Sequence, residues 1–593
     1  MLKAEAEYVF ETSWEVCNKV GGIYAVVTSK AALMMSYYPN YFTIGPYFED
    51  KARLSFQEQK DIPNFLKKPF QELKNLGLQC HFGKWIDADG EPFTILIEFG
   101  NLFSQKNDIK KKLYDLFQID SLYAANDFDE PIVWSTAVGY LLEHIGNELK
   151  GKRIIAHFHE WLCGGGLLHL KSVNSSIRTV FTTHATMLGR AMAGGGRDLY
   201  SILDIIDPVR EAYESRVQDK FFTERACAQK ADIFTTVSEI TGMEAEKILG
   251  RKPEVLVLNG LDIAKYPTIE ETSIKHVTCR DKIREFLTWY FFPYHDFPLE
   301  HNLIFFLSGR NEFRNKGLDI FIAALGKVNE TLKKENSIRT ISVFFWVPLP
   351  ATSIRTELLE NKNYYNHIKN FVDWNAKEIL RTITYDFVLG KDVSNEGIFT
   401  KKFLLEAKKN IIQFKRKGTP PLCTHYLENE DNQEIIRALR GNGLLNRKED
   451  RVKIIVYPVY LTGNDGMINL PYNDAIAGTH FGLFPSYYEP WGYTPLECAA
   501  LGVVSLTTDL SGFGRFIKPK LSPKNPGMYV LERFNKSYDD VVNSFAQILY
   551  GFTMLDHTER VQNKLSAKSL ATLADWNFLI ENYIKAHNLA LRK

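Results

Sequence analysis

Short apolar runs that end on polar or small residues, each followed by a helical pattern, fill the first half of the chain and begin again near residue 300. That alternation belongs to mostly parallel sheets, because parallel neighbours need a crossover and a helix supplies it. Strands are predicted at Tyr8–Phe10, Arg153–His157, Thr179–Thr183 and Ile233–Val237. The second series predicts strands at Leu303–Leu307, Ile341–Val347, Val452–Val456, Phe481–Pro485 and Val503–Thr507, with helices over Gly317–Val328 and Thr494–Leu501. A chain of 593 residues is too long for one ordinary core. The reading is therefore α/β, with two doubly wound domains facing a cleft and a boundary near Leu256–Leu261. Between about Ala351 and Arg451 the rhythm breaks and long charged helices are expected. Their basic clusters, Lys401-Lys402, Lys408-Lys409 and Lys415-Arg416-Lys417, read as solvated helix faces, with an oligomerisation or polymer-contact surface as the alternative.

The 72 basic and 71 acidic side chains nearly cancel, which argues against a nucleic-acid or membrane-surface binder. Seven scattered cysteines form no C-x-x-C pair, so a zinc site and a disulfide framework are not indicated and a reducing compartment fits. The N-terminus has no apolar leader, and no run approaches the ~18 apolar residues of a membrane span. A soluble, cytoplasmic protein is expected.

The segment richest in chemistry is Phe484-Pro485-Ser486-Tyr487-Tyr488-Glu489-Pro490-Trp491-Gly492-Tyr493-Thr494-Pro495-Leu496-Glu497. A helix opening at Thr494, with Pro495 in its first position, would aim free amides near Tyr493 and Thr494 at a diphosphate. Glu489, just before the Trp491-Gly492 turn, would face a sugar; a carboxylate among Tyr, Pro and Trp is costly without a purpose. Thr494 and Glu497 also spell a capping box. Ser308-Gly309-Arg310-Asn311-Glu312-Phe313-Arg314-Asn315-Lys316-Gly317 follows a strand, and Arg310 and Lys316 can converge on phosphate. His157 and His159 share one face of a strand, but no third metal ligand is evident.

The Phe484–Glu497 run, with its spacing of two glutamates, resembles the signature of the eukaryotic-type, UDP-glucose-dependent glycogen synthases, members of the retaining GT-B glycosyltransferases. The resemblance extends over nearly the whole chain. Glu15–Tyr24 resembles the family's glycine loop (Lys19, Gly21, Gly22), and His157–Trp161 its His-Glu-Trp block near the sugar pocket (His159, Glu160), so these residues are expected to bind substrate. Thr182–Arg190 resembles the block whose histidine, here His184, lies beside the transferred glucose, with Arg190 near the donor. By the same resemblance Glu489 is the catalytic carboxylate, Trp491, Gly492, Tyr493 and Thr494 bind the substrate, Glu497 binds the ribose, and Arg310 and Lys316 hold the leaving UDP. Asn259 would lie at the domain junction, and Tyr460 and Tyr472 around the uracil.

The implied fold is GT-B with Rossmann-like domains: residues 1–258 on the acceptor side, 259–565 carrying the donor site with a 351–451 helical insertion, and 566–593 crossing back to the first domain. The implied reaction extends an α-1,4-glucan from UDP-glucose with retention and without metal or other cofactor. The implied partners are glycogen or another α-1,4-glucan, a protein primer, and further copies of the chain in a tetramer. In regulated relatives an arginine-rich helix binds glucose 6-phosphate. Here the corresponding stretch keeps Arg560, Lys564 and Lys568, spaced i, i+4, i+8, which reads as a solvated stripe, with a weakened phosphate site as the alternative. With no Ser-rich tail, a largely constitutive enzyme is expected. The competing readings are an ADP-glucose-using transferase, a glucan phosphorylase, for which no matching cofactor lysine is found, and a non-catalytic glycogen-binding scaffold.

Overall fold

The computed structural model describes residues 2–390 and 399–593; Met1 and residues 391–398 of the expected insertion lie outside the described residues. The first sheet is built from β1 (Tyr8–Thr12), β2 (Tyr41–Pro46), β3 (Phe56–Glu58), β4 (Gln79–Trp85), β5 (Phe93–Glu98), β6 (Ile154–His159), β7 (Arg178–Thr183), β8 (Ile233–Thr236) and β9 (Val255–Leu256). Their spatial order is β3-β4-β5-β2-β1-β6-β7-β8-β9, parallel except at β3–β4 and β4–β5. The order reverses between β1 and β6. The loops after those two strands therefore open onto the crevice where such sheets bind ligands.

The second sheet contains β10 (Asn302–Ser308) and β11 (Thr340–Trp346), then, after a two-stranded antiparallel ribbon of β12 (Ala351–Ile354) and β13 (His425–Leu427), β14 (Val452–Tyr457), β15 (Phe481–Leu483), β16 (Val504–Thr508) and β17 (Met528–Leu531). Its order, β14-β11-β10-β15-β16-β17, is all parallel and reverses between β10 and β15. Both crevices are thus lined by the segments singled out in the sequence. The strands expected above are all present, with ends moved by a residue or two, the usual fraying.

Helices cover both faces of each sheet, and strands buried on both sides need near-continuous apolar sequence. β10 and β11 obey, with Leu303–Leu307 and Ile341–Phe345 buried throughout. β1 does not: Glu11, one residue from its end, has no exposed surface. A buried carboxylate in a central strand demands a partner, and the partner proves informative below.

The 351–451 stretch is only partly helical, because it includes the β12–β13 ribbon. Its helices Thr356–Val388 and Lys401–Phe414 pack through Phe371 and Phe403, whose ring centroids are 4.9 Å apart. Of the basic clusters, Lys401-Lys402 and Lys408-Lys409 are solvated as expected. Lys415 instead donates to the Phe292 carbonyl at 2.9 Å, and Arg416 holds Asn361 and Glu360. The same helices expose large apolar residues, Trp374 at 89% among them, with Leu380, Phe387, Leu405 and Ile412. The last helix, Trp576–Leu591, lies on the first sheet, where Trp576 Nε1 donates to Ser29 Oγ at 2.8 Å. Gly260 permits that crossing, since a Cβ there would stand 2.5 Å from the Trp576 ring.

Candidate active site

On the second domain the chain leaves β10 at Ser308 and turns into helix Leu318–Lys334 through Gly317, whose φ is +68°. A side chain there would be strained and would place its Cβ 2.1 Å from the Pro485 carbonyl oxygen. The turn carrying Arg310 and Lys316 is thereby packed against the turn carrying Glu489. Lys316 Nζ donates to Glu489 Oε2 at 2.6 Å, and the two side chains remain 19% and 26% exposed. Glu489 is therefore held by a cation across 173 residues of sequence rather than by the Tyr, Pro and Trp around it. Arg310 is 76% exposed and pairs with Glu312 at 3.0 Å.

These residues line a cavity of about 510 Å³ together with Arg190, Gly194 and Tyr488. A smaller space beside it is bounded by Ser308, Lys316, Glu489 and Thr494. The helix after Glu489 starts one residue earlier than expected, at Tyr493, with Gly492 (φ +109°) before it. Pro495 is therefore not in the first position, and the Thr494–Glu497 capping box does not form. Glu497 is instead largely enclosed near Tyr266, Tyr472 and Tyr493, and burial raises its carboxyl above the usual range.

Tyr472 reaches the end of β10, its hydroxyl 2.7 Å from Ser308 Oγ. Tyr460 does not join it; it lies on a loop, 76% exposed. Trp491 also departs from the reading. It is buried against Phe513 and Phe516 at centroid distances of 5.7 and 5.9 Å, a core residue that shapes the turn. Asn259 is buried at the junction with its Oδ1 unpaired.

On the first domain, Glu160 has φ +67°, and its Oε1 accepts the His184 and Ala185 amides at 2.8 and 3.1 Å. It thus ties the end of β6 to the turn after β7 and fixes where His184 stands. His159 was expected at the substrate but is wholly buried behind His184, with 2.9 Å between His159 Nδ1 and His184 Nε2. In the glycine loop, Gly21 precedes helix Gly22–Tyr37, and Lys19 is exposed. The amides of Gly21 and Tyr24 donate to Glu15 Oε2 at 2.7 and 2.9 Å. This helix start is filled by the chain's own carboxylate, so the loop suits a neutral, hydroxyl-bearing ligand better than a phosphate.

The sequence reading found no third metal ligand beside His157 and His159; the structure places Glu11 there. Lys30 Nζ, however, donates to both Glu11 oxygens at 2.5 and 2.6 Å, and its ammonium occupies the position a cation would take. These residues therefore do not fit a metal.

The two domains meet at the residues flanking Glu489. Tyr487 donates to Asp198 at 2.6 Å, and Tyr488 donates to Glu244 Oε2 at 3.2 Å. Thr186 and Tyr200 also donate to Glu244, at 2.7 and 2.9 Å. Burial pushes the Glu244 carboxyl up to about 7 against the pull of these hydroxyls. A folded value above the unfolded one means that folding favours the proton, so stability is lost as pH rises from about 4.5 to about 7. Glu244→Gln removes that dependence. Thermal unfolding is expected to show the variant gaining on wild type by about 3 kcal/mol between pH 4.5 and 8; a gap independent of pH would contradict this assignment.

Arg560, Lys564 and Lys568 do not form a solvated stripe. They line a cavity of about 360 Å³ with His276, Arg280, Arg284 and His480. Lys568 donates to the Ala500 carbonyl and Arg560 to that of Leu555. Burial, with Arg280 and Arg560 beside it, pulls Lys564 down to about 7. The sequence missed the cavity because two of its five cationic side chains, Arg280 and Arg284, come from helix Ile269–Phe291, almost 300 residues away.

The family model described as glycogen synthase matches residues 11–593. The human liver glycogen [starch] synthase is 34% identical over 595 residues, spanning 100% of this chain and 84% of that one. The Caenorhabditis elegans glycogen [starch] synthase is 36% identical over 600 residues, spanning 100% and 89%. Among solved structures, the catalytic domain of starch synthase IV from Arabidopsis thaliana, bound to ADP and acarbose, matches with a TM-score of 0.52. It is 12% identical over 99% of this chain and 100% of that one, a likeness that bears on the fold, which is GT-B. With this architecture and full-length matches, the chain belongs to the glycogen synthase family.

Proposed function

We propose that the chain transfers glucose from UDP-glucose to the 4-hydroxyl at the non-reducing end of an α-1,4-glucan, with retention of configuration. One observation carries the reading: the Glu489–Lys316 pair stands at the switch point of the second sheet and shares a cavity with Arg190 from the first. Departure of UDP leaves positive charge on the sugar and negative charge on the diphosphate. Lys316 and Arg310 meet the second and the Glu489 carboxylate the first, which is electrostatic catalysis by preorganised groups. Two cationic side chains supply the charge a divalent ion would bring, so transfer proceeds in chelator. The test is UDP release from UDP-glucose with glycogen present; a folded protein that binds glycogen and releases none would favour the scaffold reading.

The basic cavity supports a second element of this reading. A site holding Arg280, Arg284, Arg560 and a half-neutralised Lys564 favours a phosphorylated ligand, whose charge would restore the lysine's proton. The resemblance names that ligand as glucose 6-phosphate, in place of the constitutive behaviour first expected. Glucose 6-phosphate should raise the rate of wild type and not of Arg280→Ala; an unresponsive wild type would return the account to a constitutive enzyme. The exposed apolar face around Trp374 supports self-association. Light scattering should give a higher mass for wild type than for Trp374→Glu, and a monomeric wild type would refute it.

A further inference from the structure

The Glu11 cluster is left over from the chemistry above, and its hydrogen bonds have a direction. Glu11 accepts from Lys30 Nζ, from the Tyr41 hydroxyl at 2.5 Å and from His159 Nε2 at 2.6 Å. An ionised carboxylate offers only lone pairs, so His159 must carry its proton on Nε2. Lys30 already balances the Glu11 charge, and a second buried cation on His159 would be uncompensated. His159 is therefore neutral, and its Nδ1 is a bare acceptor. Across the 2.9 Å to His184 Nε2, two lone pairs would repel, so His184 must donate from Nε2. Among the described residues, none hydrogen-bonds His184 Nδ1.

We propose that Glu11 and His159 are positioning residues that hold His184 as the Nε2-protonated tautomer, so that its Nδ1 offers a lone pair to a hydroxyl of the transferred sugar. Every link is buried, which keeps water from supplying an alternative donor or acceptor; His184 alone retains some exposure, 8%. Burial also lowers the proton affinity of both histidines, His184 strongly, and this favours the neutral rings the chain of bonds requires. The Glu160 carboxylate fixes the His184 backbone, so ring orientation and tautomer are set by separate contacts. The consequence is specificity: a sugar hydroxyl can donate to this nitrogen, whereas an analogue lacking that hydroxyl leaves a buried acceptor unpaired.

The sugar-facing part of the inference rests on the proposed function; the tautomer does not, and the two are tested separately. In wild type labelled with [15N]histidine, nitrogen NMR should show His184 with an unprotonated Nδ1, its signal identified by its loss in His184→Gln. His159→Phe should divide His184 between tautomers and lower kcat/KM for the sugar nucleotide roughly five- to tenfold, the worth of one neutral hydrogen bond. The KM for glycogen should not change. Should His159→Phe fail to fold, His159→Leu, which removes the Nδ1 acceptor and leaves the Glu11–Lys30 pair intact, should give the same mixed tautomers. A protonated Nδ1 in wild type, or an unchanged single tautomer in a folded variant, would overturn the inference. A wild type with the expected tautomer but no UDP release would leave the positioning chain standing and remove the sugar from it.

Discussion

Glu489→Ala is expected to fold normally and to lose about 10²–10³-fold in the rate of glucosyl transfer, the usual cost of deleting one preorganised charge-stabilising group. Folding should survive because the partner it abandons, Lys316, keeps 19% exposure and can be solvated in place. The loss should fall on kcat, since the carboxylate matters most when the sugar carries charge. The opposing account makes Glu489 merely a counter-ion that parks Lys316. It predicts only a mild effect of Glu489→Ala, with Lys316 left free to meet the diphosphate. Near-wild-type turnover of Glu489→Ala would decide against a catalytic carboxylate.

Lys30→Met should produce the largest loss of stability, about 3–5 kcal/mol, because it strands an ionised carboxylate inside the first sheet. Burial alone would push Glu11 up, yet Lys30 and His159 hold its carboxyl well below the usual range. In wild type a depressed value contributes stability that is present above the unfolded value of about 4.5 and is lost as pH falls through the folded one. In the variant burial acts unopposed by the ammonium and raises the group, so its proton becomes favourable to the fold. The gap between variant and wild type should therefore narrow as pH is lowered. A deficit below about 1 kcal/mol, or one that does not vary with pH, would show that the pair is worth little.

What could be read from the sequence was local. The strands, the two sheets and the turn residues follow from periodicity within short windows, and the Phe484–Glu497 run announced its turn and helix. What could not be read was pairing across distance. Lys316 with Glu489, Tyr488 with Glu244 and Arg280 with Lys564 are brought together by packing, and none has a signature at one end. Trp491 shows the reverse error: a residue inside a chemically rich motif turned out to be core. The spacing of Arg560, Lys564 and Lys568 was read as a solvated face because a helix stripe does not reveal what packs on it. Glu11 did leave a signal, a charge directly after the apolar run Tyr8-Val9-Phe10, and a buried partner could have been sought for it.

The most direct measurement follows labelled glucose into glycogen from UDP-glucose and from ADP-glucose, side by side and in chelator. The account predicts incorporation from UDP-glucose, with label in new α-1,4 linkages, and little from ADP-glucose. Preference for ADP-glucose, a strict need for a divalent ion, or no incorporation from either donor would contradict it.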